Sequence, residues 1–357
     1  MHPAVVGHRV TIDTLNAATG GSDPVENDPD PDSPVEEAFE ESMLSIDKRF
    51  ATLTTTAATV PPNSFASGLR RHHGQDIWRR PSSRAGPSDA AAYFEILFAR
   101  ILLSGDGLVA EGCAASSPGG KRYVVYDVSV RKNNDSASDP HPTTIERRYT
   151  HFLKLYESLR KESPQLLQSV NFPKKVLMGN FSQELAGERS MAFESFLDYI
   201  ITVPSLRDSE HFLEFLQADE LRRAGQLVDE RRYELAVPIL ENIFRVLNKI
   251  FLDKSKWVLL LLCRLVAACT TSPIPHPQAE QWAELALRRY EHVCDTELLV
   301  LYIPLLQTCL HLWWQRGRDR SLLEQRLDEM GKKGIKVKGG PTLAQAIHAL
   351  DPRSETT

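Results

Sequence analysis

Thr143-Thr144-Ile145-Glu146-Arg147-Arg148-Tyr149-Thr150-His151-Phe152-Leu153-Lys154-Leu155-Tyr156 is the stretch on which the fold turns. Its first six residues read as a short strand. From Thr150, a plausible N-cap, the apolar residues Phe152, Leu155, Tyr156 and Leu159 recur at helical spacing. A strand therefore hands over to a helix at a dibasic pair followed by an aromatic. Upstream, residues 94–103 and 123–130 are rich in strand formers, with Tyr123, Val125 and Val128 marking partly alternating faces. A Gly/Ser/Pro loop over 112–120 joins these two, and a polar loop over 132–141 leads to the third strand. The order of three strands and then helix predicts an α+β domain built on a three-stranded antiparallel sheet.

Downstream lie Phe172-Pro173-Lys174-Lys175 and a helix over residues 182–201. Leu185, Ala192, Phe193, Phe196 and Ile200 form one apolar stripe on that helix, and Arg189 falls on the same stripe. A guanidinium stays charged, and burying it unpartnered is costly. Pairing with Glu188 or Glu184 is one outcome, although adjacent helical residues do not face each other. The other is an external anion. Several cations converging on one place point to a multiply charged, phosphorylated ligand. Pro204 ends the helix, and a short one over 208–216 follows.

Residues 218–351 carry no strand signal. Helix pairs are expected over 221–226 with 233–251, 257–269 with 279–294, and 297–314 with 322–330. Tyr233, Ala236 and Ile239-Leu240 give the small-and-large pattern of a tetratricopeptide (TPR)-like hairpin, against which Pro238 stands out. Residues 1–90 read as a disordered tail, with nine acidic residues between Ser22 and Glu41 and a basic cluster at Arg70-Arg71-His72-His73. The expected organisation is thus a tail over 1–90, an α+β domain over 92–217 and an all-α domain over 218–351.

The chain has 357 residues and a net charge of −5, which gives no overall bias towards nucleic acid. Its five cysteines form no C-x-x-C pair, so reduced thiols and a cytoplasmic address are expected. The first eighteen residues lack the apolar core of a secretory leader. The greasiest run, over 257–269, is interrupted by Arg264 and too short to span a bilayer.

The strings R-R-Y-T-H-F-L-K-L, F-P-K-K-V-L-M-G and E-R-S-M-A-F-E-S-F-L, in that order, resemble a PX (phox homology) domain over residues 92–217. The helical section, with Gln75-Asp76-Ile77-Trp78 ahead of the sheet, resembles small sorting nexins that carry a PX-associated helical domain, the sorting nexin 20 and 21 type. The resemblance implies that Arg148 grips the 3-phosphate of phosphatidylinositol 3-phosphate, because a planar fork suits phosphate oxygens. It implies that Tyr149 floors the inositol ring, Lys175 meets the 1-phosphate and Arg189 forks to the 4- and 5-hydroxyls. Other phosphoinositides stay open as ligands. It also implies that Val176, Leu177 and Met178 form a membrane-insertion loop. The chain departs from the family pattern in a long linker over 104–120, in His151 where an acidic residue is common, and in a single proline before the lysines.

No phosphate-binding loop with the required glycine spacing, no G-x-S-x-G elbow and no H-E-x-x-H helix is present, so no catalytic residue, cofactor or metal site is expected. Any one dibasic pair is weak evidence, since Arg222-Arg223, Arg231-Arg232 and Arg288-Arg289 also occur. Two functional readings follow. One is a non-enzymatic adaptor on the cytoplasmic face of early endosomes, with protein cargo or a receptor tail on the helical domain. The other is a protein-only scaffold that no longer binds lipid.

Overall fold

The computed structural model describes residues 74–82, 92–103, 121–132, 143–176, 178–251, 255–272, 274–291 and 296–351. The acidic run, the Arg70–His73 cluster, the 112–120 loop, Leu177, Cys113 and Cys294 lie outside the described residues.

Four strands, β1 (Gln75–Arg79), β2 (Ala92–Leu103), β3 (Arg122–Lys132) and β4 (Thr143–Arg148), form one antiparallel sheet in the order β1-β2-β3-β4. The sheet thus has a fourth strand, in a segment expected to be disordered. β1 is only five residues long and mostly exposed, so no local pattern marks it. It is held from outside, by Trp78 against Gly187, where a Cβ would come within 2.9 Å of the Trp78 Nε1. Only a glycine leaves that room.

Helix α1 (Tyr149–Glu162) starts one residue before Thr150, with Arg148 rather than Thr150 at the N-cap. Ser182 caps α2 (Gln183–Thr202) by accepting from the Leu185 N–H at 3.3 Å. The core sits between the sheet and these helices. The Phe152 and Phe193 rings stack at 3.8 Å, and the Tyr126 ring meets Phe193 edge-on at 5.2 Å.

β1 covers only the second half of β2, and the bare N–H groups of the first half go to carboxylates of α2. The Phe94 N–H donates to Asp198 Oδ1 at 2.8 Å and the Ile96 N–H to Glu194 Oε1 at 2.6 Å. Arg80 completes this clasp by pairing with Glu194. The stripe of α2 therefore carries three buried charged residues, Arg189, Glu194 and Asp198.

After the short α3 (Pro204–Arg207), helix α4 runs unbroken over Glu210–Asp229. Two separate helices were expected here, with a boundary at 217. The joining residues, Gln217-Ala218-Asp219-Glu220, contain no glycine or proline, and nothing stops the helix. Then follow α5 (Tyr233–Ile250), α6 (Lys256–Thr271), α7 (Ala279–Tyr290), α8 (Thr296–Leu299), α9 (Tyr302–Gln315), α10 (Ser321–Lys332) and α11 (Leu343–Leu350). α4 packs on α5, α5 on α6 and α6 on α7; α7 packs on α9, and α11 returns to α6. The helix expected over 297–314 is broken at 300–301, because Pro304 has no N–H for the Val300 carbonyl and its ring would crowd it. Pro238 is accommodated inside α5.

The helical region packs directly on the sheet. Asn242 donates to the Thr144 carbonyl of β4 at 3.0 Å, and Lys249 reaches the Val130 carbonyl of β3 at 3.0 Å and Thr143 Oγ1 of β4 at 3.2 Å. The strand that delivers the dibasic pair is thus closed on its outer edge by α5. Cys263, Cys269 and Cys309 are buried and free, and burial pushes the Cys263 and Cys269 thiols up to about 12.

Candidate functional site

The alternation of β4 sends Arg147 inward and Arg148 outward. Arg147, 1% exposed, has its Nε donating to the Phe215 carbonyl at 2.6 Å and both terminal nitrogens donating to the Glu220 carboxylate at 2.7 Å. Burial works to discharge this guanidinium, but Glu220 together with Asp219 and Glu146 outweighs it and the pKa ends raised. Arg148 is exposed, and its guanidinium lies 3.8 Å from the centre of the Tyr123 ring. Tyr123 was read only as a strand residue. Its role follows from register: Arg148 pairs with Val125, which places Tyr123 as the diagonal neighbour on the same face.

Tyr149 opens α1 with its ring half-buried. Its hydroxyl donates to the Pro173 carbonyl at 2.9 Å, tying the 171–176 loop to the helix. Burial raises its pKa, with Arg189 opposing. The Arg189 guanidinium lies 4.3 Å from the centre of that ring.

Arg189 is 3% exposed, and no carboxylate within ion-pair distance is found among the described residues. Neither Glu188 nor Glu184 pairs with it. Its polar contacts are neutral and long: Asn180 Oδ1 at 3.3 Å and the Lys174 carbonyl at 3.4 Å. Its Nε is buried without a hydrogen bond, and it lies near the Tyr126 hydroxyl, whose pKa burial raises with Arg189 opposing. Asn180 is a site residue the sequence reading missed. It also donates to the Val176 carbonyl at 3.1 Å, and it follows Gly179, whose φ of 76° turns the chain.

Tyr149 and Arg189 are therefore in contact, with the 173–176 loop against both. Lys175 is exposed, and no hydrogen bond or ring contact joins it or Arg148 to Arg189 among the described residues. A cleft of about 340 Å³ beside Arg189 is lined by Pro173, Lys174, Val176, Leu185 and Glu188, but by none of Arg148, Tyr149 and Lys175. In the loop, Val176 is half-buried and Met178 is 90% exposed. Phe181 follows, with the Arg122 guanidinium 5.0 Å from its ring centre. No group of residues suited to a metal ion and no helix long and apolar enough to cross a membrane occur among the described residues.

A family model for the PX domain matches residues 136–219, which include β4, the 171–176 loop and α2. This chain carries a PX domain. The PX segment and its helical continuation both have relatives. The chain is 26% identical over 287 residues to sorting nexin-21 of Homo sapiens, spanning 80% of this chain and 71% of that one. It is 30% identical over 210 residues to sorting nexin-20 of Rattus norvegicus, spanning 58% and 64%. The mouse SNX19 PX domain, solved with bound sulphate ion, aligns at 22% identity over 34% of this chain and 92% of its own, with a TM-score of 0.25. A PX domain implies phosphoinositide binding as a class.

Proposed function

We propose that this protein is a non-enzymatic peripheral membrane adaptor whose PX domain binds phosphatidylinositol 3-phosphate on the cytoplasmic face of early endosomes. Arg148 takes the 3-phosphate, Lys175 the 1-phosphate and Arg189 the ring hydroxyls, over the Tyr149 ring. Val176, Leu177 and Met178 enter the bilayer interface. The helical region, residues 218–351, holds a protein cargo or a receptor tail in a TPR-like groove. The membrane-trafficking part of this reading is supported by the relatives, which are sorting nexins.

One observation carries the lipid reading: the Arg189 guanidinium is buried beside an aromatic face, with no acid to neutralise it among the described residues. Fixed in that state it costs stability, and a polyhydroxyl, polyanionic ligand is what would recover the loss. Vesicle sedimentation of the full chain tests this. Phosphatidylcholine vesicles with phosphatidylinositol 3-phosphate should pellet the wild type, and Arg148→Ala should abolish pelleting while leaving the melting temperature nearly unchanged. Equal pelleting by both, or by neither, would leave the protein-only scaffold as the better account.

A further inference from the structure

The two residues of the dibasic pair face opposite ways and are gripped by different parts of the chain. Arg148 reaches the surface. Arg147 passes under the sheet and ends on α4, at Glu220 and the Phe215 carbonyl. Its terminal nitrogen also donates to the Glu146 carbonyl at 2.8 Å, so the backbone just before the pair is held by the same group. On α1, one turn after Arg148, the Nδ1 of His151 accepts from the Arg148 N–H at 3.5 Å and lies 3.6 Å from Asp219 Oδ2. Adjacent acids of α4 thus reach both sides of the corner that carries Arg148 and Tyr149.

We propose that Glu220 is a positioning residue for the phosphoinositide site, and that α4 is part of that site. This rests on the lipid reading above. The Glu220 carboxylate fixes the Arg147 fork by two parallel bonds, which set its plane as well as its position. With Arg147 immobile, the backbone carrying Arg148 and Tyr149 has one orientation at the point where strand becomes helix. Among the described residues the Arg148 guanidinium is otherwise held by the Tyr123 ring alone, and it is exposed, so its aim depends on that backbone. α4 continues from this corner to Asp229 and packs on α5, which closes the outer edge of β4 through Asn242 and Lys249. The helical region therefore reaches the proposed lipid site through the Arg147–Glu220 pair, the packing of α4 on α5 and the bonds of α5 to the sheet. A chain cut after residue 217 would sever α4 and remove both Asp219 and Glu220.

The test uses the full chain and two vesicle sets, phosphatidylcholine with either phosphatidylinositol 3-phosphate or phosphatidylserine. Glu220→Gln keeps the shape and removes the charge. The expected result is folded protein with a cooperative melt and a roughly tenfold loss of affinity for the inositide vesicles, at unchanged phosphatidylserine binding. Glu220→Asp should recover part of the loss. Wild-type affinity in folded Glu220→Gln, or an equal loss on both vesicle sets, would overturn the proposal. If Glu220→Gln does not fold, Arg147→Met with Glu220→Leu replaces the pair by apolar groups, an exchange buried ion pairs often tolerate. Lost inositide preference in that folded variant upholds the proposal, and wild-type preference overturns it. A wild type that binds neither vesicle would sink the lipid reading, and this inference with it.

Discussion

At the corner of β4 and α1, the Arg147 guanidinium meets the Glu220 carboxylate, two backbone carbonyls and the Phe215 ring. On α2, the Arg189 guanidinium meets one amide oxygen, one carbonyl and the Tyr149 ring. Both side chains are almost fully buried in the same PX domain. Arg100 belongs with the first kind, donating to Asp127 at 2.6 Å and Glu146 at 2.7 Å. Burial of charge is thus not itself the mark of a binding site here. On the proposed reading the mark is burial without a counter-charge, which would separate a guanidinium that holds the fold from one that takes a ligand.

The comparison breaks most directly on stability. Arg147→Met leaves Glu220 behind and should cost about 3–5 kcal/mol. Arg189→Met removes a charge that meets no carboxylate among the described residues and should be neutral or stabilising by about 1 kcal/mol, while ending inositide binding. Denaturant unfolding of the two variants gives the answer, and equal losses would dissolve the distinction. Met178→Asp changes an exposed loop residue. It should weaken vesicle binding by about tenfold, through lost insertion, and spare a soluble head-group analogue. Loss of both together would mean that the loop acts on the pocket rather than on the bilayer.

Gly187→Ala sharpens the contrast between the parts of α2. Helix propensity favours alanine by about 1 kcal/mol. The new Cβ would meet Trp78 at 2.9 Å, so a net loss of about 1 kcal/mol is expected, with inositide affinity unchanged. A gain in melting temperature would show that β1 yields easily.

The smallest effect concerns His151. Burial lowers its pKa, with Asp219 opposing and Arg147 and Arg148 adding to the lowering; Glu220 also opposes. The folded ring therefore prefers to stay neutral. As pH falls through the ordinary histidine range near about 6.5, the unfolded chain takes up the proton first. The stability contributed by the neutral ring is complete above that range and declines below it. His151→Gln should flatten the fall in melting temperature between pH 7 and 5. His276, lowered by the same cause, should leave a residual slope.

Much of the PX segment could be read from short windows. β4 occupies the residues expected of it, α2 starts within one residue of the expected position, and the misfit of Arg189 on an apolar stripe is legible from spacing alone. Yet Glu194 lies on the same side of that helix, and sequence gave no ground for treating it differently. Only its bonds to the β2 backbone and to Arg80 show it to be structural. Tyr123 and Asn180 were missed because neither differs locally from an ordinary strand or turn residue.

Periodicity, caps and breakers act within a few residues. For that reason the amino-acid sequence alone determined the three long strands, most of the helices and the presence of a cation where apolar packing was due. Pairing of charges, the docking of a five-residue strand and the union of α4 with the β4–α1 corner depend on residues far apart in the chain. The tertiary structure decided those, because whether a buried charge is satisfied is a property of what surrounds it in space.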